Sequence, residues 1–140
     1  MPTVSPPWTY TLQLPHDLRA PGVARATLRT VLTAHELAEL TPTAELLAAE
    51  LLANAHLHTS GPYALRLRST DCGGLRVGVW DGDPRVPPGF TPADGVVPPD
   101  ADAESGRGLH LVRVCADRWG ATAVGAGKVL WAECRLGRLS

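Results

Sequence analysis

The strongest pattern in the chain lies between Thr41 and Gly61, where Leu46, Leu47, Leu51, Leu52, Ala53, Ala55 and Leu57 leave little polar circumference. A helix apolar nearly all round is a buried one. Thr41 stands where an N-cap belongs, Pro42 at the first helical position, and Glu45 in the first turn at the positive end of the dipole. Gly61-Pro62 stops the helix. At about 1.5 Å per residue it spans roughly 27 Å, enough to cross a small domain.

Shorter periodicities flank it. Trp8, Tyr10, Leu12 and Leu14 share one face of an alternating run, the signature of a half-buried strand. From residue 21 to about 34, Val23, Ala26, Thr27, Leu28 and Val31 give a helical stripe with Arg25 and Arg29 on the outer row. Residues 35–40 lead into the central helix. Tyr63, Leu65 and Leu67 alternate with Ala64, Arg66 and Arg68, and Leu75, Val77 and Val79 with Arg76, Gly78 and Trp80. The turn residues 70–74 between them make the two runs an antiparallel hairpin that ends at Asp81. Residues 119–124 and 128–136, joined by Gly125-Ala126-Gly127, read as a closing hairpin with Val129, Trp131 and Ala132 directed inward. Residues 82–105 hold six prolines, three glycines, five acidic groups and one base, Arg85, a composition without regular structure. A connection of that length within one domain is expected to be a lid, a binding loop or a disordered segment.

Composition narrows the classes. With 140 residues, 13 basic and 14 acidic side chains, the chain is expected to form a single domain over residues 1–140, with residues 1–7 as a flexible lead-in. The near-neutral balance gives no reason to expect direct nucleic-acid binding. No apolar run reaches a membrane span, and the first residues lack the charged and apolar regions of a signal peptide, so a cytoplasmic protein is expected. Cys72, Cys115 and Cys134 have no paired spacing, which argues against a disulfide framework or a zinc site. His56 and His58 lie on different helical faces and make a poor metal pair, and neither His16 nor His110 has a partner pattern.

Candidate chemistry centres on the two polar exceptions in the central helix. Glu50 and Asn54, the only asparagine, stand one turn apart on one face. A buried carboxylate needs a partner or a ligand. Two readings stand at this point: a carboxylate tied to a core arginine with Asn54 as a helix-to-loop clip, or a general base beside a Mg²⁺ ligand. Asp81, at a strand end before Gly82, is either a turn residue or a ligand contact. Gly106-Arg107-Gly108-Leu109 opens a further helical stretch, where glycines allow backbone N–H groups to approach a phosphate.

In this order the motifs resemble the GHKL (Bergerat) ATPase family over nearly the whole chain, and within it the small anti-sigma-factor serine/threonine kinases. Glu50-Leu-Leu-Ala-Asn54-Ala is similar to the family's N box, Asp81 to its adenine-binding aspartate and Gly106-Arg-Gly108-Leu109 to its glycine box, while the tail 127–133 is similar to that of actinobacterial relatives. Three departures bear on nucleotide affinity. Asp83 stands where the family has a glycine, His110 replaces a glycine of the phosphate box, and near Val129 no hydroxyl matches the family's threonine.

The resemblance implies an α/β two-layer sandwich: a mixed, mostly antiparallel sheet covered on one face by about three helices, with residues 82–105 as the ATP lid. It implies ATP and Mg²⁺ as cofactors. Asn54 would ligate the metal, Glu50 would act as the base, Asp81 would read adenine, and Gly106, Arg107, Gly108 and Leu109 would hold the phosphates. Implied partners are a sigma factor and an anti-anti-sigma protein, with a homodimer formed through the first strand. The alternative is a catalytically inactive, nucleotide-binding or nucleotide-free regulatory module.

Overall fold

Alternation along five short segments builds one sheet, and the side chains on one of its faces recruit the helices. The computed structural model describes residues 6–71, 73–90, 111–113 and 115–137. Its elements in chain order are β1 (Thr9–Leu14), α1 (Ala20–Ala34), a 3₁₀ turn (Ala38–Leu40), α2 (Thr41–His58), β2 (Tyr63–Ser69), β3 (Gly74–Asp81), β4 (Arg118–Val124) and β5 (Gly127–Arg135). Residues 111–113 are also helical, and Ala116 N–H donates to the Val112 carbonyl at 2.9 Å. The strand order is β1-β2-β3-β5-β4. Every pairing among the described strands is antiparallel, so the expected parallel component is missing from them. The architecture is the expected α/β two-layer sandwich.

Register decides which side chains enter the core. Leu65 opposes Val79 and Leu67 opposes Val77 across β2–β3, while Val79 opposes Leu130 and Val77 opposes Ala132 across β3–β5. All six are buried in one cluster with Leu28, Leu32, Leu47 and Leu51 of the helices. On β5 the core-facing set is therefore Lys128, Leu130, Ala132 and Cys134. This corrects the expectation that Val129 and Trp131 point inward. Successive strand residues face opposite ways, and both belong to the open face. There the Trp131 ring lies against Gly120, with the Arg76 guanidinium 3.8 Å from its centroid.

The helix boundaries follow the sequence with two corrections. Helix α2 covers the expected 18 residues. It has no side-chain cap, because the 3₁₀ turn runs straight into it and Leu40 holds the N-cap position. Glu45 lies beyond the first turn and receives the Arg29 guanidinium, linking α2 to α1. The buried stripe of α1 is Ala20, Ala24, Leu28, Val31 and Leu32; Val23 and Ala26 are exposed. Thr59 closes α2 by donating from its N–H and hydroxyl to the Ala55 carbonyl, at 3.1 and 2.7 Å.

Gly127 matters more than its position at a strand start suggests. A Cβ there would fall 1.9 Å from the Asp81 carbonyl oxygen and 3.0 Å from Gly82 Cα. Only glycine lets β5 begin this close to the end of β3. Gly127→Ala is expected to cost at least about 2 kcal/mol in denaturant unfolding. Gly22 of α1 has open space around its Cβ position, so Gly22→Ala is expected to gain roughly 0.5–1 kcal/mol through helix propensity. Equal effects at the two sites would show that the close approach is relaxed in solution.

Candidate functional site

Helix α2 carries the candidate acid and amide because its other positions are needed for packing. Ala44, Leu47, Ala48, Leu51, Leu52 and Ala55 fill the interface with the sheet and α1, leaving Glu50 and Asn54 half-buried beside it. Neither has a hydrogen bond or ion pair among the described residues. The structural alternative required a core arginine on Glu50, and the described residues supply none. A carboxylate and a carboxamide one turn apart, both without partners, keep their oxygens available to a hard cation or a hydroxyl proton.

The far end of α2 lies over the strand end that carries Asp81. His56 Nδ1 is 2.9 Å from the hydroxyl of the fully buried Tyr63. Tyr63 is the cross-strand partner of Asp81. Helix α2 and strand β3 thus carry Glu50, Asn54 and Asp81 on the same side of the sheet. Gly106, Arg107, Gly108 and Leu109 lie outside the described residues, as does most of the expected lid. Its described beginning, residues 82–90, is anchored: Phe90 is 1% exposed and the Trp119 indole donates to the Gly89 carbonyl at 2.9 Å.

Asp81 has company the sequence reading missed. Its carboxylate is 1% exposed and accepts from the Lys128 ammonium at 2.8 and 3.0 Å. Lys128, 4% exposed, also donates to the Asp83 carbonyl at 2.8 Å, and Asp83 N–H returns to Asp81 Oδ1 at 2.9 Å. The β3–β5 register places Asp81 opposite Lys128. The residue beside Asp81 is therefore Lys128, a cation; Val129 is its neighbour on the other face. Counting alternate residues back along β5 from Leu130 would have found it, but only with the strand's facing known. Asp83 is accommodated as well. The Arg85 guanidinium, then the Arg85 N–H, hold its carboxyl far below the usual carboxylate range.

A second association invisible in the sequence joins His16 to His56, whose rings stack at 4.0 Å. His16 Nε2 is 2.8 Å from the His56 carbonyl. No group of three or more histidine, cysteine, aspartate or glutamate side chains among the described residues could hold a metal ion. No described helix is long and apolar enough to cross a membrane.

The family model of the histidine kinase-like ATPase domain matches residues 14–133. The chain belongs to this family. Its α/β sandwich is thus a GHKL-type ATPase domain, a class built to bind ATP. The chain is also similar to an uncharacterized protein of Streptomyces coelicolor, 48% identical over 59 residues, which are 42% of this chain and 51% of that protein. The chain therefore spans about half the length of the curated relative that it matches.

Measured against ATP and Mg²⁺, the two ends of the site differ. Glu50 and Asn54 fit the metal and phosphate end by donor type and by their lack of competing partners among the described residues. Asp81 fits the base end by position, with its carboxylate already engaged. That engagement has a stability consequence. Lys128→Met or Asp81→Asn alone leaves one buried member of the pair without its counter-charge and is expected to cost roughly 3–5 kcal/mol in urea unfolding. The double variant Asp81→Leu/Lys128→Met is expected to lose less than either single change. Single losses under about 1 kcal/mol would show that the pair is hydrated in solution.

Proposed function

We propose that this histidine kinase-like domain transfers a phosphoryl group from ATP to a serine or threonine of an anti-anti-sigma protein, and sequesters a sigma factor. The observation that carries the reading is the Glu50–Asn54 pair, without partners among the described residues, on the helix lying over the Asp81 strand end. Mg-ATP, when bound, supplies the transferable group. Asn54 would contribute its side-chain oxygen to the metal. Glu50 accepts the proton of the attacking hydroxyl. Gly106, Arg107, Gly108 and Leu109 would hold the phosphates, and residues 82–105 would serve as the lid. In such a reaction the protein positions groups and neutralises charge rather than forming covalent intermediates.

A second reading rests on a different observation. With Lys128 on the Asp81 carboxylate, the same fold serves as a regulatory module that binds its partners and transfers no phosphate. A mass-spectrometric transfer assay with Mg-ATP and candidate anti-anti-sigma proteins separates the two. The kinase reading expects a phosphoserine or phosphothreonine product. Glu50→Ala should keep nucleotide binding and lower transfer by about 10²–10⁴. Asn54→Ala should weaken Mg-ATP more than metal-free ATP. Normal binding and transfer in both variants would remove the pair from the site.

A homodimer through β1 accompanies this reading. β1 is an edge strand, and its outer end carries an aromatic cluster: the Trp8 and His35 rings stack at 4.3 Å, and Tyr10, 43% exposed, lies 2.9 Å from His35 Nε2. An open edge beside exposed aromatic surface suits a symmetric partner. Light scattering at micromolar concentration should give a dimer mass, lost in Tyr10→Asp. A monomer throughout that range removes this arrangement.

A further inference from the structure

We infer that Lys128 sets the base selectivity of the nucleotide site, by satisfying Asp81 before any base arrives. The inference rests on the nucleotide reading above and concerns how that site treats different purines. The hydrogen-bond inventory of Asp81 carries it. Oδ1 accepts from the Lys128 ammonium at 2.8 Å and from Asp83 N–H at 2.9 Å, and Oδ2 accepts from the same ammonium at 3.0 Å.

Selectivity for a polar group comes chiefly from what the wrong ligand leaves unpaired. A site with a buried acceptor waiting for a ligand's N–H rejects the analogue lacking that N–H by large factors, because the acceptor then stays desolvated and unbonded. Asp81 is desolvated but never unbonded. When a base without an amino group enters, Lys128 keeps its contacts and nothing is stranded. When adenine enters, its 6-amino group either takes the one lone pair left on Oδ2 or displaces an ammonium, and the gain is small in both cases.

Lys128 is also held against moving aside. Its ammonium has three contacts, the third to the Asp83 carbonyl at 2.8 Å, which matches its three N–H donors. Its strand is held in place by the antiparallel ladder that pairs Lys128 with Asp81, and Gly127 lets the two strands close up at that point. The engaged carboxylate is thus a property of the fold around it as much as of the lysine side chain.

The test compares ATP with purine riboside triphosphate, which differs only in carrying hydrogen in place of the 6-amino group. Calorimetry in Mg²⁺ buffer should give affinities within about threefold of each other for the unaltered protein. Lys128→Thr removes the ammonium and leaves Asp81 to the base, and it should prefer ATP by about tenfold or more. A preference for ATP of tenfold or more in the unaltered protein overturns the inference, with no variant required. So does a folded Lys128→Thr protein whose preference does not rise. If neither nucleotide binds either protein, the nucleotide reading itself fails and this inference falls with it, an outcome distinct from equal binding.

Discussion

A carboxylate and an ammonium buried side by side at the end of a sheet are costly to desolvate, and the surrounding structure reads as the set of conditions that makes the Asp81–Lys128 pair tolerable. The pair needs both groups at once, since either alone would be a stranded charge. It needs β3 and β5 in one register, because a slip of one residue would put Val129 opposite Asp81 and turn Lys128 to the other face. It needs Gly127 to bring the strands close, and it needs the Asp81–Gly82–Asp83 turn to supply a third acceptor. Burial of this pair thus specifies the register at the end of the sheet where the candidate site lies.

The helix layer places its chemistry at that same end. Helix α2 spends most of its circumference on packing, against the sheet through Leu47, Leu51 and Ala55 and against α1 through the Arg29–Glu45 link. Glu50 and Asn54 are the polar positions left over, and the His56–Tyr63 contact fixes the helix over the strand end beside Asp81. The opposite face of the sheet is built differently. Arg76 bonds Glu133 at 2.7 Å while lying over Trp131, and Arg66 and Arg68 flank them. One face makes the core and the site; the other is a charged and aromatic surface.

The two ends of the site account for the two functional readings. Glu50 and Asn54, without partners among the described residues, are of the donor types that the proposed metal binding and proton acceptance would use. The cation on Asp81 changes the base end, where discrimination between nucleotides would arise. The departures in the sequence divide in the same way. Asp83 is absorbed locally by Arg85, so its presence where a glycine was expected leaves the turn intact. The side chain that the structure places beside Asp81 is Lys128, whereas Val129 lies on the other face of β5.

The elements were legible in the sequence because their signals are local. The 18-residue span of α2, the β2–β3 hairpin and the edge strand β1 follow from periodicity, and the α/β sandwich follows from their order. The motif residues Glu50, Asn54 and Asp81 were legible for the same reason. Tertiary structure alone decided what depends on pairing between distant segments. The facing of β5 could not be read from an apolar run in which Val129, Leu130, Trp131 and Ala132 are all suitable core residues, since only partner strands choose between the two faces. Arg29 finding Glu45, His16 stacking on His56, and the capture of Asp81 by Lys128 all join residues far apart in the chain. The sequence by itself determined where a carboxylate would stand at the end of β3, and only the register between β3 and β5 decided that this carboxylate would stand beside a buried cation.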